Sequence, residues 1–235
     1  MKKQDKLNIL TETVTVLISA ILLIIIMLLV SNTLNLSNLI QFPAQYQSLE
    51  ILILIILQNL CLLIPFGVFY LKNKLTLSEI GFRKTNPLRA FGYIALGYII
   101  FLAININIKL VQVFFKIEIP GFGEQVNKID LFGTGTFNLA ITFFTLAILA
   151  PIVEEVFFRG FIQEQLQKIT SSKAAIFVQA LIFSLAHLEF KVIIPLTIIG
   201  AIMGYIYHKT NSIYPTIIFH SINNSLAFLV LLYLN

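Results

Sequence analysis

The chain has 235 residues, 58% of them hydrophobic and only 11% charged, against about 25% charged in soluble proteins. That composition excludes an ordinary soluble domain, and the single cysteine, Cys61, excludes an intrachain disulfide. The formal net charge of +5 comes from lysines and arginines that lie mostly between apolar runs, a pattern that membrane orientation explains better than nucleic-acid binding.

Seven apolar stretches approach the length of about 20 residues that a membrane helix needs. In chain order they cover residues 14–30, 50–71, 90–115, 143–167, 174–190, 192–207 and 214–234. Lys2, Lys3 and Lys6 precede the first. No small-x-small cleavage site follows it, so it reads as a retained helix rather than a signal peptide. Gly121, Gly123, Gly133 and Gly135 mark the loop before the fourth. The expected fold is an all-α polytopic membrane helical bundle of about seven helices, with residues 1–136 as variable N-terminal helices and loops and 137–235 as a four-helix catalytic core.

Charge predicts the orientation. With the N-terminus inside, twelve basic residues fall on inside segments and four (Lys109, Lys116, Lys128 and Lys191) on outside ones. That bias predicts a cytoplasmic N-terminus.

The most informative residues lie in the fourth stretch. Glu154, Glu155 and Arg159 follow an apolar run from 137 to 152. Ionisable groups at the centre of a membrane helix cost ~2.5 kcal/mol or more each and mark functional sites. On a helix Glu155 and Arg159 are one turn apart and can pair, while Glu154 points about 100° away and is left for other work. His187 and His220 also lie in apolar stretches, and Asn224 shares a helix face with His220. His208, beside Lys209 at an interface, reads as structural.

Depth supports convergence. Glu154 and His187 lie about 16 residues either side of a turn at Thr170-Ser171-Ser172, which puts them level in an antiparallel hairpin. His220 and Asn224 lie about 8 and 12 residues beyond the next inside turn, near Asn211-Ser212. One cavity on the cytoplasmic side of the midplane is therefore expected, provided the fourth helix does not break at Gly160.

Other chemistries fit less well. There is no His-Glu-x-x-His and no Gly-x-Ser-x-Gly. Cys61 has no histidine in its half of the chain. Ser184 and Ser221 flank the histidines as weak nucleophile candidates, with back-bonding along their own helices as the alternative.

Taken together, Glu154-Glu155-x-x-x-Arg159, Phe183-x-x-x-His187 and His220-x-x-x-Asn224 resemble the three ordered motifs of the CAAX protease and bacteriocin-processing (Abi) family of intramembrane endopeptidases. The resemblance covers residues 137–234. Ile80-Gly81-Phe82-Arg83 also resembles a short element often found ahead of that core. The resemblance implies peptide-bond hydrolysis by a glutamate-activated water. Glu154 would be the general base and His187 would help hold the water. His220 and Asn224 would donate to the oxyanion, while Glu155, Arg159 and Phe183 support the site. It implies no required cofactor, with zinc on the glutamates and histidines as the mechanistic rival. The expected partners are the lipid bilayer and a membrane-delivered peptide or protein, not nucleic acid. The expected location is a bacterial plasma membrane, with the site opening toward the cytoplasm. The rival functions are a non-enzymatic immunity or regulatory protein that binds a peptide in the same cavity, and a proton-relay transporter, for which no repeated halves are visible.

Overall fold

In the computed structural model the described residues are 2–33, 43–46, 48–123 and 135–233. Gly133, Lys128 and the last residue of the seventh predicted stretch lie outside them. The helices are α1 (Lys3–Thr33), α2 (Ser48–Lys72), α3 (Pro87–Phe115), α4 (Thr136–Ile169), α5 (Ser172–Ala186), α6 (Ile193–Thr210) and α7 (Tyr214–Tyr233). No strand occurs among the described residues. The all-α polytopic membrane class expected from composition is what the chain adopts.

Among the described residues six helices are long and apolar enough to cross a membrane; α5 is an apolar helix below that length. Its 15 residues span about 22 Å at 1.5 Å per residue, short of the ~30 Å hydrocarbon core. The helix stops at Ala186, and Leu188 takes a left-handed φ of 53°. A 3₁₀ turn, Phe190–Val192, then leads into α6. The expected fifth stretch, 174–190, is thus a shorter helix plus a turn.

α4 continues through Gly160 to Ile169, without the break there whose absence the depth estimate required. It contains two π-helical segments, Thr145–Leu149 and Val156–Gln163, which flank the paired glutamates. π turns inside α-helices recur at functional sites.

The chain divides into two units. The first takes Met1–Thr76, Asn127–Phe157 and His220–Asn235. In it α1 and α2 run antiparallel, and Lys72 near the end of α2 pairs with Glu12 near the start of α1 at 3.0 Å. The start of α2 is tied to α4, where the Ser48 amide and hydroxyl both donate to Asn138 Oδ1 at 3.2 and 2.8 Å. Phe143 of α4 meets Phe228 of α7 edge-on, with centroids 5.6 Å apart.

The second unit takes Leu77–Val126 and Phe158–Phe219. Here α6 is the central element. Gly200 and Gly204 sit one turn apart on it and let the side chains of α4 and α5 approach closely, as small-xxx-small spacing does in membrane helices. The Ile80–Arg83 segment docks on this unit. Gly81 adopts φ +91° and accepts from the Ile213 amide at 2.9 Å. The Ile80 carbonyl lies against Gly160, so closely that a Cβ at 160 would collide with it. Arg83 pairs with Glu164 at 2.8 Å and bonds Asn211, and Glu164 also accepts from the Tyr207 hydroxyl.

Candidate active site

In the first unit, α4 presents Glu154 and Glu155, and α7 presents His220 and Asn224. His220 Nδ1 lies 2.9 Å from Glu155 Oε1, and Nε2 lies 3.8 Å from Glu154 Oε2. Glu155 is fully buried and the His220 side chain is 5% exposed, whereas Glu154 is 20% exposed. The imidazole thus stands between two carboxylates, one sealed and one accessible. An ionised carboxylate only accepts, so His220 Nδ1–H donates to Glu155, which fixes the orientation of the ring.

Asn224 belongs to the same unit. Its amide nitrogen donates to the Leu146 carbonyl at 2.9 Å. That carbonyl can only accept, so the amide orientation is settled by its partner. An amide nitrogen carries two hydrogens, so one remains for another acceptor.

Arg159, Phe183 and His187 belong to the second unit. Arg159 is fully buried. One of its nitrogens donates to the Gly200 carbonyl at 3.2 Å, and its guanidinium carbon lies 4.7 Å from the Phe183 ring centroid, a cation–π distance. One turn on, Gln163 Nε2 donates to the Gly204 carbonyl at 2.8 Å. Equal steps of four on both helices mean that α4 and α6 run parallel at this contact.

His187 is the C-cap of α5 rather than a residue inside a continuous apolar helix, as the sequence predicted. Its Nδ1 lies 2.8 Å from the Phe183 carbonyl. That carbonyl accepts, so Nδ1 carries the proton and Nε2 is the acceptor nitrogen of the neutral ring. Ser184 is buried and donates to the Leu181 carbonyl at 3.0 Å, the back-bonding role that its helical setting predicted. His208 is exposed.

Sequence reasoning missed Gln163, a fully buried side chain. Its signal was the matched spacing of Arg159 and Gln163 with Gly200 and Gly204. It also missed Pro151 and the Leu146 carbonyl. A zinc site of the usual catalytic form needs three protein ligands. Glu154 and His220 Nε2 are close enough to reach one ion at about 2 Å each. Among the described residues, however, no group of three or more His, Cys, Asp or Glu side chains is arranged to hold one.

Helices of membrane-spanning length mark an integral membrane protein. Residues 136–226 match the family model described as Type II CAAX prenyl endopeptidase Rce1-like, and this segment contains all three sequence motifs, from Glu154 to Asn224. The match supports a CAAX-type intramembrane endopeptidase in general terms. No curated protein and no solved structure matches the chain.

Proposed function

We propose that this protein is an intramembrane endopeptidase that hydrolyses a peptide bond in a membrane-associated peptide or protein, using water activated by Glu154. The observation that carries the reading is the His220 imidazole held by buried Glu155 at 2.9 Å while the more accessible Glu154 stands 3.8 Å from its other nitrogen. A carboxylate beside preorganised donors, within a dry site, is what general-base attack by water requires.

In this reading Glu154 takes a proton from water as the water oxygen bonds to the scissile carbonyl carbon. The second N–H of Asn224 and a proton on His220 Nε2 receive the oxyanion. Nε2 donates in the form of the Glu155–His220 pair that holds two protons, one shared across the 2.9 Å contact and one on Nε2. The carbon–nitrogen bond then breaks, and Glu154 returns its proton to the leaving amine. His187 enters by its motif, with Nε2 suited to accept a hydrogen bond from the attacking water. Glu155, Arg159 and Phe183 support the site.

The reading requires no metal. The substrate reaches the site through the bilayer. The excess of inside basic residues supports a cytoplasmic N-terminus and a site open to that side. The membrane proposed is a bacterial plasma membrane.

The test is cleavage of a pooled set of lipidated and unlipidated peptides by purified protein in detergent, beside Glu154→Gln, each with and without chelator. The expected result is a product from wild type that survives chelation and is lost in Glu154→Gln. Loss on chelation with recovery in zinc would transfer the chemistry to a metal. A Glu154→Gln variant with an intact cellular phenotype, and no peptide cleaved by wild type, would leave the protein a binder.

A further inference from the structure

The Leu146 carbonyl is deprived of its helical donor by its own sequence. In α4 the Ala150 amide, which would serve Leu146 in a regular α-helix, donates instead to Thr145 across the first π turn. The next amide along, which a continued π register would offer, belongs to Pro151, and proline has no N–H. Both helical claims on this carbonyl are therefore gone. A carbonyl orphaned within an apolar protein interior must find a donor from elsewhere, and the one it has is Asn224 Nδ2 at 2.9 Å.

We propose that Pro151 and the Leu146 carbonyl are positioning residues for Asn224. Pro151 keeps the carbonyl from being claimed by its own helix. The carbonyl then orients the Asn224 amide with nitrogen toward α4, which commits one N–H to the latch and presents the other to the substrate oxyanion. The role assigned to the second N–H rests on the hydrolase reading above; the latch itself does not.

The arrangement explains a residue choice that otherwise weakens the helix. A proline after the first turn of an interior helix forfeits a backbone bond and crowds the preceding turn. Here Pro151 stands three residues before Glu154 in the same helix, and the bond it forfeits is replaced by one to a motif residue of α7. The π turn inserts an extra residue ahead of the glutamates, rotating them by about 100° relative to an uninterrupted helix. The same latch therefore holds the face on which Glu154 and Glu155 meet His220.

The test is a two-by-two set, wild type, Pro151→Ala, Asn224→Ala and the double variant, read by thermal unfolding of the purified full chain and by kcat and KM on a cleaved peptide. Asn224→Ala alone is expected to lower Tm, because the Leu146 carbonyl loses its donor, and to lower kcat by ~100-fold, as loss of one oxyanion donor does. Pro151→Ala is expected to keep or raise Tm, since it restores a backbone donor, yet to lower kcat by about 10-fold with KM within about twofold, as misplacing a single donor does. In the Pro151→Ala background, Asn224→Ala should no longer lower Tm. Wild-type kcat in Pro151→Ala, or an Asn224→Ala loss of Tm equal in both backgrounds, would overturn the proposal. The stability cycle is read with no substrate present. Coupled Tm values with no peptide cleaved by wild type would therefore support the latch and overturn the hydrolase reading alone.

Discussion

Two buried polar contacts, one in each unit, differ in kind. In the first, titratable side chains bind one another: Glu155 and His220 are joined at 2.9 Å, with Glu154 beside them. In the second, Arg159 and Gln163 reach backbone carbonyls, those of Gly200 and Gly204, on a helix whose glycines let them in. A bond to a carbonyl fixes a donor and cannot exchange a proton with it. A bond between carboxylate and imidazole can. The contrast sets a contact able to exchange a proton, as the proposed function requires, beside one that ties α4 to α6.

Four substitutions test that contrast, in order of expected effect. Glu154→Gln should cost ~10³-fold in cleavage rate, within the range for a general base, while thermal unfolding in detergent changes little, because Gln keeps the size of the side chain. A comparable drop in Tm would move Glu154 into the structural class. Arg159→Met, read by the same unfolding assay, should cost about 2–3 kcal/mol of stability from the lost charge-assisted bond to Gly200. Gly160→Ala should cost about 1–3 kcal/mol, because the added methyl meets the Ile80 backbone oxygen rather than a side chain able to move. Persistence of that loss after deletion of the Ile80–Arg83 segment would be inconsistent with the docking seen here. Lys72→Ala should cost under about 1 kcal/mol, since its bond to Glu12 lies at an exposed position, and it sets the floor of the series.

Much of the fold was legible because lipid and apolar side chains impose one simple rule. Runs of Leu, Ile and Phe gave the helices, and Glu154, His187, His220 and Asn224 were visible as polar residues in segments that otherwise avoid them. Hydropathy could not give the length of α5, because the left-handed turn at Leu188 ends the helix where composition alone would continue it. It could not give the π turns either, since they depend on which backbone donors are missing and on a distant side chain that fills the gap. Pro151 was in plain view, but its consequence, a carbonyl open to Asn224, needs the fold. Gln163 looked like the amphipathic tail of α4 and is a fully buried tie to Gly204.

The measurement that bears most directly on the central claim is hydrolysis in ¹⁸O-water by the full chain in proteoliposomes, wild type beside Glu154→Gln, with the product carboxylate weighed by mass spectrometry. The expected result is one heavy oxygen in the new C-terminal carboxylate from wild type and ~10³-fold slower product formation by Glu154→Gln. Equal labelled product from Glu154→Gln would contradict it.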